Sequence, residues 1–323
     1  MLRRPRRNRK SAVVRDMVQE THLTAANLIF PLFVIEGNHI KSEVSSMPGI
    51  FRYSLDNLLR EVETCMKLGL RAFDLFPNIE EALKDKYATE ATRENSLYLR
   101  TIAEVKKNFP EACVVTDVAM DPYSSDGHDG IVENGEILND ETLEILGKMA
   151  VTHAQAGADI IAPSDMMDGR IGYIRRELDQ AGFSHVSLMS YTAKYASAFY
   201  GPFRDALNSA PKHGDKKTYQ MNPANQREAL VEAALDTQEG ADFLMVKPAL
   251  PYLDVIKLLH DQFDLPIAAY NVSGEYAMIK ASARNGWLDE QRATMEVLLG
   301  IRRAGATAIL TYHAKEVLEK GWL

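Results

Sequence analysis

Gly240-Ala-Asp-Phe-Leu-Met-Val-Lys247 is the stretch that decides the fold: a glycine ends a predicted helix, an apolar strand follows, and a lysine ends the strand. Glycine at a helix end adopts the left-handed backbone conformation without the steric cost that other residues meet. Similar junctions recur along the chain, at Gly69-Leu-Arg-Ala-Phe, Gly157-Ala-Asp-Ile-Ile and Gly305-Ala-Thr-Ala-Ile. This weak repeat predicts helices that alternate with buried strands.

Eight short apolar runs occur in the chain, and the segments between them have apolar residues at helical spacing, as in Leu55–Leu68. The runs are Leu28–Ile35, Ala72–Phe76, Cys113–Met120, Ile160–Ala162, Val186–Tyr191, Phe243–Val246, Ile267–Val272 and Ala308–Tyr312. Such strands, each followed by a helix, predict a parallel sheet covered on both faces. Eight units predict an α/β fold, a single (β/α)8 TIM barrel over residues 26–323. A doubly wound open sheet is the alternative, but no Gly-x-Gly-x-x-Gly follows the first strand.

The bulk composition excludes several classes of protein. The chain is 46% hydrophobic and 25% charged, which is typical of a globular protein with a full core. No apolar run approaches the roughly 20 residues that span a bilayer, and no signal-peptide core follows the basic start. The two cysteines, Cys65 and Cys113, have no metal-type spacing and are expected to be free thiols. We therefore expect a cytoplasmic protein without membrane contact.

The first ten residues carry six basic side chains and no acid, although the whole chain has a net charge of −8. An acidic body repels nucleic acid and anionic membranes, so we expect neither as a partner. Residues 1–25 are predicted to form an extended N-terminal arm that contacts a neighbouring subunit. A disordered tail and a nucleic-acid contact are the alternatives.

Lys194 and Lys247 follow the fifth and sixth apolar runs, and chemistry in a barrel lies where strands end. A lysine at the end of an apolar strand is partly desolvated, which disfavours the ammonium, and a second cation nearby disfavours it further. A neutral amine is the nucleophile that forms an imine with a ketone or aldehyde. The pair predicts a Schiff-base enzyme. Structural salt bridges or helix capping by each lysine are the alternative.

The segment between the two lysines is longer than ordinary barrel connections and is rich in glycine, proline and basic residues. Long loops at the active face of a barrel are commonly lids, so residues 197–222 are predicted to form an active-site lid. Its basic side chains, Arg204 and Lys216 among them, suit a substrate carboxylate or phosphate. A solvated basic loop is the alternative.

Several long stretches match one enzyme family. They include Met189-Ser-Tyr-Thr-Ala-Lys194, Phe199-Tyr-Gly-Pro-Phe-Arg204, Tyr219-Gln-Met-Asn-Pro-Ala-Asn225, Met245-Val-Lys247-Pro-Ala-Leu-Pro-Tyr-Leu-Asp254 and Val272-Ser273-Gly-Glu-Tyr-Ala-Met278. In these stretches the sequence resembles the porphobilinogen synthase (5-aminolevulinate dehydratase) family, and the likeness runs from the basic arm to the C-terminus. The resemblance implies a lyase that condenses two 5-aminolevulinate molecules into porphobilinogen with loss of two waters. That reaction is an early step of heme and chlorophyll biosynthesis.

The same resemblance implies roles for individual residues. Lys247 forms the imine with the first-bound substrate, and Lys194 forms the imine with the second. The residues implied to hold the two substrate carboxylates are Arg204, Lys216 and Gln220 for one, and Ser273 and Tyr312 for the other. Polar candidates without an assigned proton-transfer role are Asp117, Asp121, Asp129 and Ser164. A single-lysine class I aldolase with Lys247 as nucleophile is the runner-up, and a non-catalytic binding protein is a more distant alternative.

Zinc-dependent members of that family carry three cysteines where this chain has Ala119, Asp121 and Asp129. The resemblance therefore implies a zinc-independent member without a catalytic zinc. Asp121 and Asp129 are interpreted either as oxygen ligands for a cation or as solvated carboxylates that orient the incoming amine.

Glu232 lies in the predicted helix Asn225–Glu239, where the bare sequence is equally consistent with a solvated carboxylate. In the magnesium-stimulated branch of the family, the matching glutamate belongs to a regulatory site near a subunit boundary. The likeness thus implies regulatory Mg²⁺ as the cofactor, no organic cofactor, and a homo-octamer built from dimers that exchange arms.

Overall fold

Parallel strands close into a barrel in the computed structural model, which describes residues 1–207 and 211–323. The strands are β1 (Leu28–Val34), β2 (Lys41–Glu43), β3 (Phe51–Tyr53), β4 (Ala72–Pro77), β5 (Cys113–Val118), β6 (Ile131–Glu133), β7 (Glu136–Leu138), β8 (Ile160–Pro163), β9 (Ser187–Lys194), β10 (Phe243–Lys247), β11 (Ile267–Asn271) and β12 (Ala308–Thr311). The barrel consists of β1, β4, β5 and β8 to β12, and β12 pairs with β1 to close it. The predicted (β/α)8 barrel is confirmed, and each barrel strand overlaps one of the eight apolar runs.

Helices alternate with the barrel strands in the described part of the chain. They are α1 (Ala12–Met17), α2 (Leu55–Lys67), α3 (Leu97–Asn108), α4 (Asn139–Ala156), α5 (Arg170–Gln180), α6 (Gly201–Leu207), α7 (Glu228–Glu239), α8 (Leu253–Gln262), α9 (Ser273–Arg284), α10 (Glu290–Ala304) and α11 (Ala314–Glu319). Short 3-10 helices occur at Pro5–Arg9, Ala25–Asn27, Glu81–Leu83, Thr89–Thr92, Ala198–Tyr200 and Leu250–Tyr252. None of the described helices has the length and apolar character needed to cross a membrane.

The helix-ending glycines have the predicted backbone conformation. Gly240 follows α7 with a φ of 102°, and the other junction glycines also have positive φ, at Gly69, Gly157 and Gly305. One predicted boundary is wrong, because α7 begins at Glu228 and not at Asn225. Asn222 is the physical reason, since its side chain accepts the amide of Ala224 and its carbonyl accepts the amide of Asn225. These two bonds hold residues 222–225 in a turn that precedes the helix.

Two long connections lie together at the carboxyl ends of the barrel strands. Residues 119–138, which contain the β6–β7 hairpin, follow β5, and residues 195–227 follow β9. The Nδ1 atom of His128 in the first connection lies 3.0 Å from the hydroxyl of Tyr219 in the second. The amide of Lys212 donates to the carbonyl of Asp126 at 3.1 Å. The two connections thus support one another above the barrel mouth.

Residues 1–25 hold α1, whose first turn is capped by the Ser11 hydroxyl. Apolar side chains in this part of the chain face solvent, with Leu2 97% and Met17 79% exposed. A role of this arm in subunit contacts stays a prediction.

Candidate active site

Lys194 and Lys247 are the last residues of β9 and β10, and they lie opposite one another in the register of these neighbouring parallel strands. Both are buried, at 5% and 6% exposure. The amide of Tyr195 donates to the carbonyl of Lys247 at 2.9 Å, which ties the two strand ends together. The expected juxtaposition of the two lysines on adjacent strands is confirmed.

Aromatic rings surround the Lys247 amine and keep water from it. The Nζ atom lies within 6 Å of four ring centroids, those of Tyr191 (4.9 Å), Tyr200 (5.3 Å), Phe203 (5.2 Å) and Tyr270 (4.6 Å). The ring faces favour an ammonium, but the loss of hydration disfavours it more strongly.

The balance makes a neutral amine accessible at Lys247 near neutral pH. Burial, followed by the charge of Lys194, lowers the pKa of Lys247 from its ordinary value of 10.5 to about 7. The carboxylates of Asp117, Asp74 and Asp121 act in the opposite direction. The amine of Lys194 itself donates to the backbone carbonyl of Ser164.

Asp117 lies near the carboxyl end of β5, and its carboxyl group is buried near both lysines. Burial and then the charge of Asp121 raise the pKa of Asp117 to about 6, while Ser164 and the two lysines oppose the rise. A group with such a pKa exchanges a proton readily near neutral pH, which suits general acid–base catalysis.

Asp74 is a residue that the sequence analysis missed. It lies in β4 beside Val115 of β5 and is fully buried. Burial and then the neighbouring Asp117 raise its pKa well above the ordinary range, while Lys247 opposes this. The signal was an acid within the otherwise apolar run Ala72–Phe76, because an interior strand position is costly for a charge.

Asp121 and Asp129 contact a lysine. The Nζ atom of Lys216 lies 3.1 Å from the Asp121 carboxylate and 2.9 Å from the Asp129 carboxylate. All three side chains are buried, so the interpretation of the two acids as solvated carboxylates is wrong. Burial raises the pKa of Asp129, but Lys194 and Lys216 outweigh it and lower that pKa to about 2. The ammonium of Lys216 occupies the place beside both acids that a cation would take.

Three residues predicted to hold one of the two substrate carboxylates line a small cavity together with both lysines. Lys216, Gln220 and Arg204, which lies on α6, surround a volume of about 30 Å³. Gln220 is buried, and its side-chain oxygen has no hydrogen-bond partner in the described residues. This volume is far below the roughly 300 Å³ at which small-molecule pockets begin. The predicted lid, 197–222, includes residues 208–210, which lie outside the described residues.

Ser273 and Tyr312, predicted to hold the other substrate carboxylate, follow β11 and β12. The Ser273 hydroxyl accepts the amide of Phe203 at 3.0 Å and donates to the carbonyl of Phe199 at 3.3 Å. The Tyr312 hydroxyl lies 2.9 Å from that of Tyr270, one of the rings around Lys247. The second pair is therefore connected to the Lys247 side of the site.

Comparisons with known proteins identify the family. The family model described as delta-aminolevulinic acid dehydratase matches residues 2–320. A dehydratase of that name from Chlamydia pneumoniae is 56% identical over 98% of this chain and 96% of its own length. The chloroplastic dehydratase of Glycine max is 57% identical over 97% of this chain and 76% of its own length.

A solved structure agrees with these sequences. The crystal structure of the delta-aminolevulinic acid dehydratase (porphobilinogen synthase) from Toxoplasma gondii ME49, in complex with the reaction product porphobilinogen, has a TM-score of 0.97 and 50% identity. It covers 99% of this chain and 92% of its own chain.

The chain belongs to the delta-aminolevulinic acid dehydratase family. It is therefore an enzyme of the hydro-lyase type, and the resemblance of the whole chain to this family is confirmed. The single-lysine aldolase and the non-catalytic binding protein are excluded as readings of the chain.

The two cysteines and Glu232 lie outside the site. Cys65 lies in α2 and Cys113 begins β5 at the end opposite the lysines, so neither thiol belongs to the site. Glu232 lies on α7, outside the barrel and away from the cavity. Burial first, and then Asp236 and Asp168, raise the pKa of Glu232 to about 7, while Arg170 opposes the rise.

Proposed function

We propose that this enzyme is a porphobilinogen synthase that joins two 5-aminolevulinate molecules with the loss of two waters, using imines on Lys247 and Lys194. The observation that carries the proposal is the pair of buried lysines side by side at the carboxyl ends of β9 and β10. The family membership of the whole chain supports it. The reaction belongs to tetrapyrrole biosynthesis.

Lys247 takes the first substrate and Lys194 the second. The lowered pKa of Lys247 supports this order, because a neutral amine attacks a ketone and an ammonium does not. Each attack releases one water as the imine forms. The new C–C and C–N bonds then join the two substrates, and both lysines are freed as the product forms. Asp117 is suited to move protons between the two amines and the substrates, and Ser164 positions the Lys194 amine through its carbonyl.

Two identical ketones react in different roles, so each needs its own anchor. Arg204, Lys216 and Gln220 hold one substrate carboxylate, since they surround the cavity that contains both lysines. Ser273 and Tyr312 hold the other from the Lys247 side. Holding two reactants in one geometry removes roughly 7–11 kcal/mol of the barrier.

The covering segment 197–222 acts as a lid. The small volume of the cavity supports this role, because two substrates require far more space than about 30 Å³. Lid opening exposes the lysines, and closure excludes water from the imines.

The subtype proposed is zinc-independent and magnesium-stimulated. Ala119, Asp121 and Asp129 offer no thiolate, and Lys216 already neutralises the two acids. Glu232 would hold the regulatory Mg²⁺, since burial and then the neighbouring Asp236 and Asp168 raise the pKa of its carboxyl, and a cation would oppose this rise as Arg170 does. The described residues contain no group of three or more His, Cys, Asp or Glu side chains placed to hold a metal. The ion would therefore keep most of its waters, as Mg²⁺ usually does.

The proposed assembly is a cytoplasmic homo-octamer in which residues 1–25 grip a neighbouring subunit. The exposed apolar side chains of the arm support this role, because a subunit contact would remove them from water. The six basic residues at the tip of the arm complement an acidic body.

A colorimetric assay for porphobilinogen tests the activity. We expect turnover of 5-aminolevulinate that falls when a strong chelator removes divalent ions, recovers with Mg²⁺, and is indifferent to a zinc-selective chelator. Borohydride reduction in the presence of substrate is expected to label both Lys194 and Lys247. Substantial turnover by Lys247→Ala would refute the mechanism, and full activity in the chelator without a response to Mg²⁺ would refute only the regulatory site.

A further inference from the structure

A β-bulge in β9 sets the direction of Lys194. Met189 and Ser190 lie opposite Phe243 and Leu244 of β10, but farther along Lys194 lies opposite Lys247. The strand β9 therefore uses two residues, Tyr191 and Thr192, where β10 uses one. The pairing assigns neither of these two residues a partner in β10, and the register with β8 has already ended at Leu188.

This extra residue decides which way the Lys194 side chain points. Successive side chains on a strand alternate between the two faces, so a shift of one residue exchanges the faces. Without the bulge, Ala193 would lie opposite Lys247, and Lys194 would point away from the site. The two amines share one cavity only because the bulge is present.

Arg170 holds the bulge from outside the barrel. This first residue of α5 is only 2% exposed. Its Nη2 group donates to the carbonyl of Tyr191 at 3.3 Å and to the hydroxyl of Ser190 at 3.1 Å. The Ser190 hydroxyl in turn donates to Asp236 at 2.5 Å. The guanidinium thus supplies a hydrogen bond to a backbone group at the position where strand pairing is interrupted.

Two acids keep the buried guanidinium in place. The Asp165 carboxylate lies 3.8 Å from Nε, and the Asp236 carboxylate lies 3.7 Å from Nη1. Asp165 follows Ser164, whose carbonyl accepts the Lys194 amine. Arg170 and its two acids are therefore connected to Lys194 in two ways, through the residues that follow β8 and through β9 itself.

We propose that Arg170 is a positioning residue for Lys194: by holding the bulge at residues 191–192, its guanidinium selects the register in which the Lys194 amine faces the site. The inference rests on the proposed imine at Lys194. Lys247 belongs to β10 and lies outside the bulge, so Arg170 acts on it only through the charge of Lys194. Labelling is therefore compared well above pH 7, where the Lys247 amine is largely neutral with or without that charge. A general loss of stability would affect both lysines alike, whereas a positioning role affects Lys194 selectively.

The test compares the two lysines within one protein. Full-length wild type and variants are reduced with borohydride in the presence of 5-aminolevulinate, and mass spectrometry measures labelling of the peptides that carry Lys194 and Lys247. Arg170→Lys keeps the charge between the two acids, but an ammonium lacks the planar fork that directs Nε to Asp165, Nη1 to Asp236 and Nη2 to the bulge. The ratio of Lys194 to Lys247 labelling is expected to fall by about tenfold or more, the size of effect that losing a charge-assisted hydrogen bond produces. Ser190→Ala, which removes no charge, is expected to lower the ratio in the same direction.

Arg175→Lys is the matched control. Arg175 lies on the same helix and donates to the carbonyls of Val186 and Phe183, in the segment that precedes β9 and away from the bulge. Its ratio is expected to equal that of the wild type.

An unchanged ratio in a folded Arg170→Lys protein would overturn the inference, and so would an equal fall in Arg175→Lys. If Arg170→Lys does not fold, Ser190→Ala decides by the same ratio. A wild-type protein labelled on one lysine only would instead overturn the two-imine mechanism, and this inference with it.

Discussion

The structure makes its most specific prediction about Lys247: the fraction of its amine that is neutral should depend on the charge of the neighbouring Lys194. A lysine with the ordinary pKa of 10.5 is neutral in roughly 0.03% of molecules at pH 7, whereas one with a pKa of about 7 is neutral in about half. The difference corresponds to about 5 kcal/mol in favour of the neutral form. The perturbation is Lys194→Met, which removes the neighbouring positive charge and leaves the burial of Lys247 in place.

The expected magnitude follows from the strand geometry. Neighbouring strands lie about 4.8 Å apart, and this spacing places the two amine charges about 6 Å apart. At that separation they repel by roughly 3 kcal/mol at an effective dielectric constant of about 20. Without this repulsion, proton affinity at Lys247 rises by about 100-fold, and the neutral fraction at pH 7 falls from about half to about 1%. Imine formation at Lys247 should therefore be about 50-fold slower at pH 7 and should approach the wild-type rate as the pH rises past the amine's pKa.

The assay follows borohydride trapping at the peptide that carries Lys247 as a function of pH, under single-turnover conditions. Lys194→Arg is the control, because it keeps the positive charge and cannot form an imine. Its Lys247 profile should retain the wild-type inflection near pH 7. Identical profiles for Lys194→Met and Lys194→Arg would refute the electrostatic reasoning, and so would a wild-type inflection near the ordinary lysine value.

Three further variants test other parts of the structure. A Cβ at Gly274 would lie 2.5 Å from the carbonyl oxygen of Phe199 and 2.7 Å from its Cα, so Gly274→Ala should displace that segment and lower kcat/KM by about tenfold or more. In Gly300→Ala the nearest atom lies 3.9 Å away, so activity should be unchanged and stability should rise by up to about 1 kcal/mol; equal activity of the two variants would contradict the steric argument. Burial lowers the pKa of His153 from 6.5 to about 3, so the unfolded chain binds a proton that the folded state refuses, and stability falls as the pH drops from about 6.5 toward 3. His153→Phe should remove about 2 kcal/mol of the loss between pH 7 and pH 5, measured as a smaller drop in Tm, and an unchanged drop would count against this assignment.

Local patterns were sufficient for the barrel and for the two lysines. A parallel strand buried on both faces is a continuous apolar run, and a helix that ends in a left-handed turn favours glycine, so both features are visible in short windows of sequence. Lys194 and Lys247 follow such runs, and the closure of the barrel brings consecutive strand ends together. The sequence therefore predicted their juxtaposition.

Contacts between distant segments could not be predicted in this way. Lys216 meets Asp121 and Asp129 only because two long connections fold over the same barrel mouth, and no local pattern indicates which acids a lid lysine will reach. Asp74 interrupts an apolar run, and its place near Asp117 depends on the pairing of β4 with β5.

The direction of the Lys194 side chain shows most clearly what the sequence determines and what only the tertiary structure decides. The sequence by itself determined that a lysine ends the fifth strand, because the apolar run and the motif around it are local. The tertiary structure alone decided that its amine faces Lys247, because one extra residue in β9 reverses the alternation of side chains. Arg170, at the start of α5, holds that extra residue of β9. Acids from two further segments balance the charge of Arg170. Strand alternation alone allows the Lys194 side chain to lie on either face of the sheet. The register that selects one face depends on side chains that are far apart in the sequence and meet only in the folded protein.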